Sequence, residues 1–162
     1  MMMRPPLTLL RDPGHFLALG FGSGYAPRAP GTAGTLTAIP LWWLMSLLPA
    51  WAYGILLLLI SILGVWLCGR TARALGTHDH PAIVWDEFAG LLLSLWLAPA
   101  GWIWVVLGFG LFRLFDIVKP WPIRVLDRQV KGGLGIMADD LLAGLFAWLC
   151  LQAIAWGVAY AA

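Results

Sequence analysis

Three long stretches of this chain carry no charged residue: Ala29–Gly69, Phe88–Phe112 and Leu141–Ala162. A charge placed at the centre of a bilayer costs about 2.5–3.5 kcal/mol on insertion scales, so uncharged runs of this length are candidate membrane spans. Composition agrees. The chain is 61% hydrophobic and 11% charged, with a mean hydropathy of +0.85, whereas a soluble domain usually carries about 25% charge. An integral membrane protein is therefore expected, and 162 residues suit one helical bundle, a single domain over 1–162. The net charge of +2 and the dispersal of Lys and Arg give no footprint for nucleic acid, which is excluded as a partner. Cys68 and Cys150 sit in apolar runs and form no CxxC or Cys/His cluster, so they read as packing residues. Near the N-terminus Arg11 and Asp12 interrupt the apolar residues and no cleavage-like site follows, so the anchors are expected to be internal.

Ala29–Gly69 is too long for one span, and Pro49 divides it into helices near Thr35–Leu48 and Trp51–Gly69. The second stretch is either one kinked span or two helices broken at Ala98-Pro99-Ala100-Gly101. Charge placement favours two, near Ala82–Leu97 and Gly101–Val118. Five spans then put every charged residue on one side, in Met1–Arg28, Arg70–Glu87 and Arg113–Asp140. The basic residues assign that side to the cytoplasm. Helices of about 16–18 residues reach only about 24–27 Å, short of a hydrocarbon core of about 30 Å. Two short interfacial helices are also expected, over Pro6–Leu19 and Pro122–Val130. The fold class is all-α: a membrane-embedded bundle of about five transmembrane helices.

Half of the eighteen charged residues fall between Arg113 and Gly144. Within the five-span arrangement, Asp86, Glu87, Asp116, Asp127, Asp139 and Asp140 lie at one membrane face. Asp86/Glu87 and Asp139/Asp140 each open a helix and are followed by small residues, including Gly90, Ala143 and Gly144. Small residues let helices approach closely, and carboxylates brought together repel unless a cation or a proton intervenes. Several hard oxygen ligands with few histidines suit Mg²⁺ better than Zn²⁺. Arg113 and Lys119 lie nearest these acids and can clamp a phosphate. Arg124, Arg128 and Lys131 also fit an ordinary positive-inside loop. The glycine-rich loop Gly20–Thr35 (GFGSGYAPRAPGTAGT) runs into a helix start, a natural anion site, but it is neither a Walker loop nor a dinucleotide fingerprint. His78 and His80 read as turn residues.

The blocks GSGYAPRAPGTAGT, HDHPAIVWDEFAG and FRLFDIVKPWPIRVLDRQVKGGLGIMADDLLAG together resemble the phosphatidylglycerophosphatase A family, in order, from about Gly20 to Gly144. The resemblance implies an all-helical fold with a central helix, which soluble relatives share without the apolar spans. It implies a Mg²⁺-dependent enzyme of the bacterial inner membrane, its site facing the cytoplasm, that hydrolyses phosphatidylglycerophosphate to phosphatidylglycerol and phosphate. The positions carried over are Asp79, Asp86, Glu87, Arg113, Asp116, Lys119, Asp139 and Asp140, with Gly24, Pro30, Gly31 and Thr32. On this basis Asp86, Glu87, Asp139 and Asp140 are the expected catalytic and Mg²⁺-binding residues. Arg113, Asp116, Lys119, Gly24, Gly31 and Thr32 are the expected substrate contacts, and the glycine-rich loop adds Arg28 to them. Two alternatives are weighed against this. The motifs of histidine-nucleophile lipid-phosphate phosphatases and of CDP-alcohol phosphotransferases are absent. A transporter or lipid-binding scaffold would place ionisable residues in mid-span rather than at one edge. Nothing in the sequence sets an oligomeric state.

Overall fold

The structure is a computed structural model that describes residues 5–161, and these form helices joined by turns and loops, with no strand among them. Arg4, expected on the charged side, and Ala162, the end of the third uncharged stretch, lie outside the described residues. Among the described residues seven α-helices follow in order: α1 (Pro13–Ala18), α2 (Pro30–Ser46), α3 (Ala50–Leu75), α4 (Trp85–Ser94), α5 (Trp102–Val118), α6 (Ile123–Gln129) and α7 (Gly132–Ala161). Two 3₁₀ turns, Leu7–Arg11 and Gly20–Tyr25, bracket α1.

Local chemistry sets the boundaries. Pro49 stands at the N-cap of α3 and Gly76, in the left-handed region, closes it. Pro30 occupies the first turn of α2, where its missing N–H costs nothing. The expected single interfacial helix over Pro6–Leu19 is instead two pieces. Asp12 is extended and caps α1 by accepting from Gly14 N and His15 N, with Pro13 behind it, so the chain cannot run helically through this point. α6 matches the short helix read from Pro122–Val130 and buries Ile123.

The chain reverses at Pro49 and again near Pro99, so α2, α4 and α7 begin where α3 and α5 end. α4 is the central helix. Phe88, Ala89, Leu91 and Leu92 on it are buried, and it packs against α2, α3, α5 and α7. Trp85 Nε1 donates to the Ile60 carbonyl and fixes its start against α3.

α3 and α7 are long and apolar enough to cross a membrane. A long helix in a soluble core would be mostly covered, yet α3 exposes Trp51, Ile55, Leu58, Leu59, Ile62 and Trp66. An apolar surface of this extent belongs against lipid. α2 and α5 have 17 residues each. α4 departs from the expected Ala82–Leu97 span: it has ten residues, or about 15 Å. Its end is sealed by side chains. Tyr53 Oη donates to the Leu92 carbonyl at 2.7 Å, and Trp148 Nε1 and Gln152 Nε2 donate to the Trp96 carbonyl at 2.7 and 3.2 Å. These donors satisfy carbonyls that the end of the helix leaves without an intrahelical partner.

Candidate active site

The shared end of the bundle holds a cleft of about 330 Å³. Its walls come from the first turn of α2 (Ala29, Pro30, Gly31), the loop before α4 (Asp79, Pro81, Ile83), the first turn of α4 (Asp86, Glu87), the last turn of α5 (Arg113, Asp116, Ile117, Lys119) and α7 (Asp139, Asp140). Each acidic pair sits on a helix that must pack tightly for the cleft to form. α4 and α7 cross at Gly90 and Gly144. A Cβ on Gly144 would meet the Gly90 carbonyl oxygen, and a Cβ on Gly90 would meet Phe112 and the Asp140 carbonyl. Only a glycine contact lets the backbones approach this closely. Gly90 is one turn beyond Asp86 and Glu87, and Gly144 is one turn beyond Asp140, so this contact draws the carboxylates together.

Ligand oxygens of Asp86, Glu87 and Asp140 all lie within 4.8 Å of one another. Asp86 and Asp140 are buried. Asp86 Oδ1, Glu87 Oε2, Asp139 Oδ1 and Asp140 Oδ2 are buried with no hydrogen-bond partner. Counted over the whole cleft, six carboxylates (Asp79, Asp86, Glu87, Asp116, Asp139, Asp140) face two bases (Arg113, Lys119). Orphaned carboxylate oxygens and an uncompensated excess of negative charge are what a hard divalent cation satisfies. The donor set, all oxygen, fits Mg²⁺ and not a thiolate or imidazole site.

Asp139 is set apart from this trio. Its Oδ2 receives Lys119 Nζ at 2.5 Å, and Lys119 donates also to Asp127 Oδ1 at 2.7 Å. Burial raises the Asp127 carboxyl, but hydrogen bonding and charge from Lys119 outweigh it and leave the group below its usual value. Lys119 itself, opposed by burial but paired with two carboxylates, is held above its usual value and stays charged. Arg113 donates to Asp116 in a short contact and lies 3.9 Å from Glu87 Oε1. Gly31 abuts this pair: a Cβ there would strike Glu87 Oε1 and crowd the Arg113 guanidinium. The opening turn of α2, whose first N–H groups lack intrahelical partners, therefore stands against the acid-base cluster.

The remaining expected contacts are placed differently. Gly24 is buried with its Cα against the Ala82 backbone, where a Cβ would strike the Ala82 carbonyl oxygen, so it pins the glycine-rich loop to the loop before α4. Arg28 is exposed and outside the cleft wall. Thr32 sits one residue past the wall on α2. Arg124 and Arg128 are exposed on α6, and Arg124 reaches the Val118 carbonyl. His78 Nε2 accepts from Gly132 N at 2.7 Å, and His80 Nδ1 accepts from Ala82 N at 3.1 Å, consistent with turn residues. Asp127 was visible in the sequence as one acid among six, but its tie to Lys119 was not.

An all-helical membrane protein with clustered acids and two anchored bases in one cleft has the equipment of a phosphohydrolase. The sequence comparisons specify which. The phosphatidylglycerophosphatase A family model matches residues 16–155. Phosphatidylglycerophosphatase A of Escherichia coli is 50% identical over 139 residues, covering 85% of this chain and 81% of that protein. The Haemophilus influenzae protein of the same name is 46% identical over 147 residues, 90% of each chain. A Bacteroides thetaiotaomicron protein, provisionally named a phosphatidylinositol-3-phosphatase, is 38% identical over 148 residues, 86% of this chain and 92% of that one. No solved structure matches. The chain belongs to the phosphatidylglycerophosphatase A family.

Proposed function

We propose that this protein hydrolyses the terminal phosphomonoester of phosphatidylglycerophosphate, releasing phosphatidylglycerol and phosphate, in a Mg²⁺-dependent reaction at the cytoplasmic face of a bacterial inner membrane. The observation that carries this reading is the cluster of orphaned carboxylates on Asp86, Glu87 and Asp140 beside Arg113 and Lys119, in a chain of this family.

Asp86, Glu87 and Asp140 would hold the cation, with Asp139 outside the set and tied to Lys119. A Mg²⁺ held by these residues would supply the positive charge that offsets the negative charge of the transferring phosphoryl group. The chain's own groups do the rest. Arg113, already beside Glu87 and Asp116, swings its guanidinium onto two phosphate oxygens. Lys119, at the end of the same helix, adds a second positive charge. The N–H groups of Gly31 and Thr32 at the start of α2 donate to the same anion. Asp139 Oδ1, buried and unpartnered while Oδ2 is held by Lys119, takes a proton from the attacking water. That water's oxygen forms the new bond to phosphorus. The ester P–O bond breaks, and the glycerol oxygen leaves with a proton returned from the carboxyl. This ordering assigns Asp139 to proton transfer rather than to the cation.

The arrangement needs the cleft at the membrane surface. We place α2, α3, α5 and α7 across the bilayer, with α4 as a fifth, shortened segment inside the bundle whose end is sealed by Tyr53, Trp148 and Gln152. A reporter fused at Pro99 should then read as periplasmic, and a cytoplasmic reading would overturn the five-segment arrangement. The activity itself is tested with purified protein and phosphatidylglycerophosphate in detergent. Phosphate release should require Mg²⁺ and stop with chelator. Release unaffected by chelation, or no release at all, would remove the proposal.

A further inference from the structure

A second cavity, about 560 Å³ and almost wholly apolar, lies between α2 and α5 and is lined by Ile39, Pro40, Trp42, Trp43 on one side and Gly101, Trp102, Val105, Val106 on the other. The same two helices form the opposing walls of the polar cleft, through Gly31 on α2 and Arg113 on α5. Both pack on α4, and the groove is the furrow left between them. Eight residues separate Gly31 from Ile39, and seven separate Val106 from Arg113, so the groove begins about 10–12 Å along the helices from the phosphate-binding residues. That spacing is of the order of a headgroup built of two glycerols joined by a phosphodiester. On each helix one face runs from the groove to the cleft. On α5, Val106, Gly110, Arg113 and Ile117 fall on one face, and on α2 Thr32, Leu36, Pro40 and Trp43 do the same. Gly110 is exposed, and a Cβ there would meet nothing. Leu36 and Val106 are exposed as well.

Resting on the phosphatase reading, we infer that the furrow between α2 and α5 is the substrate's own binding track. The lipid enters sideways from the bilayer between these helices. One acyl chain lies against Ile39, Trp43, Trp102 and Val106 while the terminal phosphate reaches Arg113 and Lys119. The occupant is an acyl chain of the phosphate-bearing lipid. Its place on the same pair of helices as the cleft argues for this, as does the change along them from charged to almost wholly apolar lining, which matches the polarity of a phospholipid from headgroup to tail. The groove residues then set chain-dependent affinity and take no part in the chemistry.

The experiment compares two substrates on each variant: long-chain phosphatidylglycerophosphate in mixed micelles, and its deacylated, water-soluble counterpart, glycerophosphoglycerophosphate. Val106→Trp and Ile39→Trp fill the groove, and Leu58→Trp on the exposed face of α3 is the control. Groove variants should lower kcat/KM for the long-chain lipid by about tenfold or more, mostly through KM, the scale on which apolar pockets discriminate. Turnover of the soluble compound should stay as in wild type, which also shows that the variants are folded. Equal losses on both substrates, or no loss on either, would overturn the track. If wild type cleaves neither compound, it is the phosphatase reading that fails. As a second readout, a lipid substrate carrying a diazirine in its acyl chain should label peptides containing Trp43 or Val106. Labelling of α3 around Leu58 to the same extent would count against the inference.

Discussion

Gly90 of α4 and Gly144 of α7 touch backbone to backbone, one helical turn below the carboxylates of Asp86, Glu87 and Asp140. The contact acts as the spacer of the site. Gly144→Ala would push a methyl into the Gly90 carbonyl oxygen. Overpacking of this kind costs about 1–3 kcal/mol, and a displacement of about 1 Å at reacting groups can cost about 10²-fold in rate. The variant should therefore insert and purify, melt somewhat lower, and lose activity far more than stability. A variant with wild-type kcat would mean that the spacing is not set at this contact.

How far the sequence revealed this arrangement can be judged from the same residues. The pairs Asp86/Glu87 and Asp139/Asp140, each with glycine one turn on, were legible because helical periodicity is local and a glycine at that offset has a packing meaning. The break near Pro99 was legible for a similar reason. The early end of α4 was not. Leu95–Leu97 is as apolar as the helix before it, yet the helix stops at Ser94 and Leu97 takes a positive φ of 61°, where Tyr53, Trp148 and Gln152 from distant segments donate to the released carbonyls of Leu92 and Trp96. The separation of Asp139 from its neighbour was not legible either. Adjacent residues on a helix point about 100° apart, but which one meets Lys119 depends on the turn after α5. Arg28 was expected to contact substrate as part of the glycine-rich loop, whereas it is exposed outside the cleft wall, next to the left-handed turn at Ala29 with φ 47°.

Asp139 and Asp140 should separate in function despite their adjacency. Asp140→Asn removes an oxygen from the Asp86/Glu87 cluster. It should weaken Mg²⁺ binding at least about 10²-fold, the upper range for loss of an outer partner at a metal site. Asp139→Asn should leave Mg²⁺ binding nearly intact and lower kcat instead. Isothermal titration with Mg²⁺, set beside kcat at saturating Mg²⁺, reads both. Equal loss of Mg²⁺ affinity in the two variants would place Asp139 among the ligands. A phosphoenzyme trapped on either residue would exclude direct attack by water.

Lys119 is held between Asp127 and Asp139, and the two ties differ in exposure. The Asp127 side chain is 35% exposed and that of Asp139 is 5%. Asp127→Asn should change stability by less than about 1 kcal/mol, as half-exposed pairs do. Lys119→Met strands the buried carboxylate of Asp139 and removes the proposed phosphate contact. It should raise KM and lower kcat together, while Asp127→Asn changes mainly KM. Chemical denaturation and steady-state kinetics on the two variants check this. If Lys119→Met retained wild-type KM, the lysine would be structural only.

The attachment of α1 offers a prediction that does not involve the site. Asp12 accepts from Arg70 through both oxygens, at 2.6 and 2.8 Å, while also capping α1. The hydrogen bonds from Arg70 and then those from the helix N–H groups hold its carboxyl well below the usual carboxylate range. His15, one turn on, bonds Thr71 Oγ1 of α3 at 2.9 Å, and burial lowers its pKa, so it is kept neutral at pH 7. Because the folded value of Asp12 is depressed, its contribution is complete above the ordinary carboxylate pKa of about 3.9. It is lost as pH falls below that value and through the folded one. Asp12→Asn keeps a competent cap but removes the charge on the Arg70 partner. At pH 7 the variant should unfold at a lower temperature than wild type in detergent. The gap should stay constant down to about pH 4 and close as the wild-type carboxylate protonates at lower pH. Arg70→Met should show the same closing gap, because it removes the other half of the pair. A gap that stayed constant well below pH 4 in both variants would mean that the ion pair is not what holds α1 to α3, and that the His15–Thr71 bond and apolar packing carry the attachment instead.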